Sequence, residues 1–132
     1  MAAVIADRPP PPRPPRVRRC VGNPIIRPDM DARLGDNING PSLVRMPAWA
    51  AAALGRYHLY FGHHDGRFIR LAYADDLAGP WRIHGPGVLP LEATGFAGHI
   101  ASPDVHVDER ERRIRMYFHG ADTATGGGGE QT

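Results

Sequence analysis

The chain has 132 residues, of which 42% are hydrophobic and 23% are charged. That length suits one ordinary domain, and no apolar run reaches the roughly 18 residues that a membrane-spanning helix requires. One cysteine, Cys20, excludes an intramolecular disulfide framework and a cysteine-based zinc site. The 16 glycines and 14 prolines predict many turns and a β-rich body. No membrane is expected as a partner.

Charge divides the chain into a basic tail and a mildly acidic body. All 16 basic residues are arginine, and residues 1–22 carry five of them against one acid. Residues 23–132 carry eleven arginines against thirteen acids. A nucleic-acid-binding body would concentrate positive charge on its folded face, so no nucleic acid is expected as a partner.

Both ends of the chain are predicted to lie outside the folded body. Residues 8–16 hold six prolines in nine positions, which predicts polyproline II or disorder for the tail of residues 1–22. This tail is either a flexible leader, a proline-rich ligand for a partner, or an arm that binds phosphate weakly. Residues 121–132 include four consecutive glycines and are predicted to be a flexible end.

Two aromatic and β-branched runs predict a β-hairpin. Residues 57–61 and 67–74 flank an Asp-Gly pair at 65–66, which favours the type I′ turn because both central residues need positive φ. Shorter strands are predicted before and after the hairpin, at residues 42–45 and 81–84. Four strands joined in sequence by short turns predict an antiparallel meander.

The meander then starts a second time. Residues 103–107 mirror residues 41–45 at an offset of 62, and residues 114–118 mirror residues 57–61 at an offset of 57. The difference between the two offsets falls on residues 47–55, an insert long enough for one helical turn or more. A four-stranded meander that recurs at a regular spacing is typical of a β-propeller, in which each meander is one blade.

The predicted fold is therefore all-β, a β-propeller of four-stranded antiparallel blades. Blade one covers residues 41–84, and residues 101–119 begin blade two, within a partial propeller of residues 23–120. Propellers use some four to eight blades, so about one and a half blades cannot close a ring. The remaining propeller blades or another chain are needed to cover the open edges.

Several stretches of the body carry a family resemblance in their order and spacing. They are residues 23–26, 39–44, 55–61, 71–81 and 101–105. The most specific is the Ala-x-x-Asp-x-Leu-x-Gly-Pro-Trp blade ending at residues 72–81, which is followed by the Pro-Asp-Val strand start at residues 103–105. Together they resemble the five-bladed propeller glycosidases, chiefly the arabinanase and xylosidase type of glycoside hydrolase family 43. The resemblance implies a glycosidase-like function on a polysaccharide or oligosaccharide.

The resemblance also implies where the catalytic groups stand. Glycoside hydrolysis of this kind uses one carboxylate to activate water and a carboxylic acid to protonate the leaving oxygen. In the resembling enzymes a third carboxylate adjusts the pKa of the acid. The base is the aspartate of an Asp-Pro-Ser sequence at the start of blade one. Residues 40–42 read Gly-Pro-Ser, so glycine holds the aspartate position, and the acid glutamate belongs to a later blade. The chain as it stands lacks a full catalytic set.

Two carboxylates are the catalytic candidates. Asp104 begins an innermost strand, and alternation puts its side chain on the same face as His106. Asp104 is either a sugar-contacting or charge-tuning group, or a turn-capping aspartate that follows Pro103. Asp36 is the second candidate, as a substitute for the missing base if the loop is threaded differently.

Three further residues are candidates for binding the sugar. They are Asn39, His63 and His119. Asn39 can hydrogen-bond a sugar hydroxyl, and the two histidines are predicted at matching strand ends of the two units. His63 and His64 are adjacent, so their side chains point to opposite faces of a strand and do not chelate one ion together. No metal site and no cofactor are predicted.

Three functions stay open. The first is a glycoside hydrolase-like propeller that acts on polysaccharide, of which this chain is an N-terminal portion. The second is a non-catalytic relative that binds sugar or supports assembly. The third is a binding module whose Pro/Arg-rich tail recruits a partner while the body serves as a scaffold. Carbohydrate is the expected partner in the first two.

Overall fold

The computed structural model describes residues 14–19, 21–62 and 66–121, and within them it contains six strands and three short 3₁₀ turns. The strands are β1 (Asn39–Arg45), β2 (Tyr57–Gly62), β3 (Phe68–Ala74), β4 (Arg82–Pro90), β5 (Ile100–Asp108) and β6 (Arg113–Gly120). The 3₁₀ turns cover Pro28–Met30, Ala32–Leu34 and Leu91–Ala93. The all-β prediction is confirmed. None of the helical turns in these residues has the length or the apolar character to cross a membrane.

Strands β1 to β4 form an antiparallel sheet in sequence order, here called sheet one. This is the predicted meander, although residues 63–65 of the β2–β3 turn lie outside the described residues. The turn after β3 is built around Asp76. The Asp76 carboxylate accepts the Ala78 N–H at 2.8 Å, and the Asp76 carbonyl accepts the Gly79 N–H at 3.0 Å. An aspartate that bonds its own backbone in this way fixes a tight turn.

Strand β4 is longer than the segment predicted at residues 81–84. It runs on to Pro90 because residues 85–88 bulge out of the ladder with β3. Gly87 has a φ of +73°, which lets the chain return to the ladder after the bulge. A Gly-Pro-Gly sequence resembles the end of a strand, so the predicted strand stops too early.

Strands β5 and β6 form sheet two, an antiparallel pair at the positions predicted for the start of a second unit. Its ladder repeats the ladder of β1 and β2. Ser42 faces Tyr60 in sheet one, and Asp104 faces Tyr117 in sheet two, as the two offsets of the sequence repeat predict. The internal repeat is therefore present in the strand register as well as in residue type.

Both sheets carry a β-bulge at the same place in the repeat. The register shifts just after Asn39 in β1 and just after Ala101 in β5. Gly40 and Ser102 have positive φ there, +55° and +50°. The two bulges meet, because a Cβ on Gly40 would lie 2.7 Å from the Ser102 Cα. Only glycine fits at position 40 without moving the β5 backbone.

The main core lies between the two sheets. Its buried members are Val44, Tyr60, Ile69, Leu71, Leu91, Ile100 and Val105. Strand β5 packs over β1, β2 and β3 without pairing with them. The Ser42 Oγ accepts a hydrogen bond from the Val105 N–H at 2.9 Å, which joins the first strand of one unit to the first strand of the next.

The opposite face of sheet one, here called the back face, is covered by the segment that precedes β1. The buried cluster there comprises Leu34, Phe61, Ala72, Ala74 and Trp81, with Ile25, Ile26 and Ile38 packed against it. Tyr57, Leu59 and Phe61 alternate along β2 and share this back face, and within the described residues the N-terminal segment 23–38 covers it.

The matching face of β6 is only partly buried. Met116 and Phe118 pack against the core between the sheets. Ile114, which lies on the same face of β6, is 37% exposed. It lies near the β5–β6 turn, beyond the part of sheet two that packs on sheet one.

The insert of residues 47–55 forms consecutive turns and no helix. The Ala50 N–H donates to the Pro47 carbonyl and the Ala53 N–H to the Ala50 carbonyl, each at 3.0 Å. Such a short segment does not gain enough hydrogen bonds to offset the cost of starting a helix. The insert is held instead by Trp49, whose Nε1 donates to the Glu109 carboxylate at 2.7 Å.

Candidate functional site

The two bulges mark one end of the molecule, here called the bulge end. It carries Asn39, Gly40, Ser102 and His119. Strands β1 and β5 begin there, and β2 and β6 finish there. In the ladders Asn39 faces Gly62 and His119 faces Ala101. A Cβ on Gly62 would lie 3.2 Å from the Ala101 Cα, so Asn39 and His119 sit at the same level on either side of this contact.

The Asn39 and His119 side chains at the bulge end are half-buried, and each is in contact with a neighbouring polar side chain. The Asn39 Nδ2 donates to the Asn37 Oδ1 at 3.4 Å. The His119 ring stands perpendicular to the His99 ring, with centroids 5.9 Å apart. Amide and imidazole groups both donate and accept hydrogen bonds, which suits them to the hydroxyls of a sugar.

The other predicted residues fall at different places. Asp36 is exposed in the loop that leads into β1, shortly before Asn39. His63 lies outside the described residues. The structure therefore brings Asn39 and His119 to one level and puts Asp36 near Asn39 in the chain.

Gly40 occupies the position that the resemblance assigns to the general base. It offers no proton acceptor, and the β5 backbone at Ser102 fills the space that a side chain would need. A carboxylate at this position would require the two bulges to separate. The bulge end thus has hydrogen-bonding groups but no carboxylate in the position of the base.

Asp104 lies on the face of sheet two that points away from sheet one, here called the open face. Its side chain is 68% exposed, and its Oδ2 is 2.8 Å from the His106 Nε2. Its register partner Tyr117 is 61% exposed and meets the His106 ring edge-on, with centroids 5.8 Å apart. The prediction that Asp104 and His106 share a face is confirmed, and Tyr117 joins them in one exposed cluster.

Ion pairs occupy the rest of the open face. Arg115 donates to the Asp108 carboxylate at 3.0 Å and to the Glu111 carboxylate at 2.6 Å. The hydrogen bond from the Glu111 N–H, followed by the one from Arg115, lowers the pKa of Asp108. The open face is therefore polar apart from Tyr117, whereas sheet one carries an apolar cluster on each of its two faces.

One imidazole is buried in the body of sheet one. His58 is 5% exposed, and its Nδ1 lies 3.4 Å from the Tyr60 hydroxyl. Burial lowers the pKa of His58, and the nearby His84 lowers it further. Burial also raises the pKa of Tyr60. Both groups are therefore neutral parts of the core. In the part of the chain that the structure describes, no group of three or more His, Cys, Asp or Glu side chains could hold a metal ion.

An apolar groove of about 520 Å³ opens on the back face. Pro41, Leu59 and Phe61 from sheet one line one side, and residues 23–26 line the other. Arg19 is the charged residue in this lining. The groove is the part of the back face that the N-terminal segment leaves uncovered.

Tyr117 was not among the predicted site residues, although the repeat contained the signal. In the repeat it is the counterpart of Tyr60, which sheet two covers. Sheet two has no such cover within the described residues, so the counterpart is exposed. Tyr117 is therefore exposed because the described residues contain no further sheet that covers it as sheet two covers Tyr60.

Comparison with known proteins gives a relative without an assigned function. An uncharacterized protein of Acanthamoeba polyphaga mimivirus is 38% identical to this chain over 100 aligned positions, which cover 63% of the chain. The chain spans about 28% of the length of this curated relative. No protein-family model matches the chain, and no solved structure matches it.

Proposed function

We propose that sheets one and two are successive units of a β-propeller of the glycoside-hydrolase type, and that the bulge end binds carbohydrate without hydrolysing it. The shared register and the shared bulge of the two units support the first part. The Ser42–Val105 hydrogen bond adds to it, because it sets the first strands of the two units side by side. These strands would be innermost in a propeller.

The contact between the two bulges is the observation that supports the second part of the proposal, carbohydrate binding at the bulge end. It brings the Asn39 amide and the His119 imidazole to one level at the end where β1 and β5 begin. In the resembling glycosidases this is the end that holds the sugar. Two half-buried groups that both donate and accept hydrogen bonds suit a polyhydroxylated ligand.

Hydrolysis is not expected of this chain as it stands. General-base catalysis on a glycoside needs a carboxylate beside the attacking water, and a second carboxyl group must protonate the leaving oxygen. Gly40 stands in the position that the resemblance assigns to the base, and the Asp104 carboxylate is hydrogen-bonded to His106 on the open face. The function supported best is therefore carbohydrate binding by a propeller unit without its own catalytic pair.

Titration calorimetry with arabinotriose and xylotriose tests the proposal. We expect binding of at least one of the two by the intact chain. Asn39→Ala and His119→Ala should each weaken it about fivefold, which corresponds to the loss of one neutral hydrogen bond. His106→Ala is the matched control, since this exposed imidazole faces Arg115 in the ladder, four residues along β6 from His119, and should leave the affinity unchanged.

Three results would count against the proposal. One is the absence of binding of either sugar by a folded chain. The second is an equal loss of affinity in His106→Ala and His119→Ala, which would show that the binding site is not confined to the bulge end. Turnover of an aryl-arabinoside by the unmodified chain would also contradict the non-hydrolytic part.

A further inference from the structure

A polar cavity lies at the end of the molecule opposite the bulge end, and it is here called the insert pocket. Its volume is about 320 Å³, and it is lined by Arg45, Met46, Pro47, Ala48, Arg56 and Glu109. β1 ends at Arg45, and Glu109 comes directly after β5. The pocket therefore lies where the insert of residues 47–55 meets the β5–β6 turn. Its volume is at the lower end of the range of small-molecule sites, about 300 to 1,000 Å³.

Two hydrogen bonds hold the walls of the insert pocket in place. The Met46 N–H donates to the Arg56 carbonyl at 2.8 Å, which keeps Arg56 beside the end of β1. The Trp49 Nε1 donates to the Glu109 carboxylate at 2.7 Å, which holds Glu109 against the insert. Residues from separate segments of the chain are thus brought together before a ligand binds, which lowers the entropy cost of binding.

The two arginines of the pocket differ from most other arginines of the described body. Those that pair with a carboxylate are Arg27, Arg33, Arg67, Arg82, Arg113 and Arg115. Within the described residues, the exposed Arg45 and Arg56 side chains pair with no carboxylate, and Glu109 in the same lining is bonded to Trp49. Two positive charges that share a cavity repel each other, and an anion bound between them removes this repulsion.

We propose that the insert pocket binds the phosphate monoester of a small sugar. A phosphate monoester carries about 1.5 to 2 negative charges near pH 7, which matches the two arginines, and guanidinium groups bind phosphate oxygens through paired N–H donors. Arg45 and Arg56 donate to the phosphate oxygens. An ionised carboxylate only accepts hydrogen bonds, so Glu109 accepts from a hydroxyl of the sugar. The proposal does not rest on the carbohydrate site at the bulge end.

Titration calorimetry at low ionic strength with glucose 6-phosphate and with inorganic phosphate tests the proposal. We expect the intact chain to bind glucose 6-phosphate more tightly than inorganic phosphate. Arg45→Gln and Arg56→Gln should each weaken binding of glucose 6-phosphate at least about tenfold, because each removes a charge-assisted hydrogen bond. Arg27→Gln is the matched control, since it removes the same charge from an exposed arginine that pairs with Asp29 at 3.0 Å in the N-terminal segment.

Glu109→Gln separates a sugar phosphate from a simple anion. Glutamine keeps an acceptor for the Trp49 N–H but removes the negative charge, so inorganic phosphate should bind at least as tightly as it does to the unmodified chain. The preference for glucose 6-phosphate should fall about fivefold, because a neutral acceptor replaces the carboxylate that accepts from the hydroxyl. An unchanged preference would contradict the contact between Glu109 and the sugar. The replaced side chains are exposed, and circular dichroism establishes that each variant is folded.

Three other results would overturn the proposal. The first is the absence of glucose 6-phosphate binding by the folded chain. The second is binding that survives replacement of both Arg45 and Arg56 by glutamine, which would assign the anion to the basic tail of residues 1–22. The third is an equal loss in Arg27→Gln, which would indicate attraction by net charge alone. Arabinotriose affinity should be unchanged in Arg45→Gln, so failure of this proposal leaves the proposed function unaffected.

Discussion

Gly40 shows how one residue connects the fold of this protein to its chemistry. Its positive φ forms the bulge in β1, and its missing side chain lets the bulge of β5 approach. The same missing side chain leaves no carboxylate at the position that the family resemblance assigns to the general base. Close contact between the units and the absence of a proton acceptor at position 40 therefore have one structural cause.

Replacing this glycine by aspartate is expected to destabilise the protein without creating a hydrolase. A Cβ at position 40 would lie 2.7 Å from the Ser102 Cα, in a backbone conformation that side chains disfavour. We expect Gly40→Asp to lower the free energy of unfolding by about 2 kcal/mol or more in urea denaturation. Gly22→Asp is the control, because a Cβ at Gly22 meets nothing within 4 Å. A stable Gly40→Asp protein that cleaves an aryl-arabinoside would contradict this prediction.

His58 is expected to make stability depend on pH. Burial and His84 hold its pKa below the usual value, so the unfolded chain binds a proton more readily than the folded protein. Stability is therefore highest above the ordinary histidine pKa of about 6.5 and falls as the pH drops towards the folded value. One proton limits the slope to about 1.4 kcal/mol per pH unit.

Urea denaturation at a series of pH values measures this effect. His58→Leu should flatten the pH dependence of the unfolding free energy between neutral pH and the lower pH at which the folded His58 titrates. His106→Gln is the control, since it removes an exposed imidazole and leaves His58 in place. An unchanged slope in His58→Leu would show that another group is responsible.

At the scale of elements, one side chain connects the two sheets. Ser42→Ala removes the acceptor of the Val105 N–H and leaves that buried donor without its partner. We expect a loss of about 1 to 3 kcal/mol in the free energy of unfolding, with faster hydrogen exchange at the Val105 amide. Ser102→Ala, an exposed serine at the neighbouring bulge, should cost less than about 0.5 kcal/mol. Slow exchange at Val105 in Ser42→Ala would mean that packing alone holds the sheets together.

The strands could be predicted because alternation and turn residues are local features of the sequence. The bulge in β4 and the conformation of the insert could not, because they depend on contacts with residues distant in the sequence. Alternation and the Asp-Gly pair at 65–66 located β2 and β3. The bulge of residues 85–88 arises only when β4 returns to β3, so the strand was predicted too short. The alanine-rich insert has a composition that favours a helix, but it is too short to offset the cost of starting one. The Trp49–Glu109 hydrogen bond holds it as turns.

At the scale of the whole molecule, the repeat could be predicted, but the different burial of matching residues in its two copies could not. The two offsets of the sequence repeat reappear as strand registers, so the sequence pattern located both units. Burial was harder, since Tyr60 and Tyr117 occupy the same repeat position and differ only in what covers them. The candidate site was predicted in part for the same reason. Residue type indicated Asn39 and His119, but the meeting of the bulges depends on contacts between units.

The sequence separation of Ser42 and Val105, which are joined by a hydrogen bond, also determines when the two sheets can come together during synthesis. These residues are 63 positions apart, and ribosomes add roughly 5 to 20 residues per second, so β1 emerges about 3 to 13 s before its cover. The apolar side of the first meander is exposed to the cell during that interval. Slower codons before β5 would prolong the exposure, and a nascent chain halted there would be a target for chaperones that act at the ribosome.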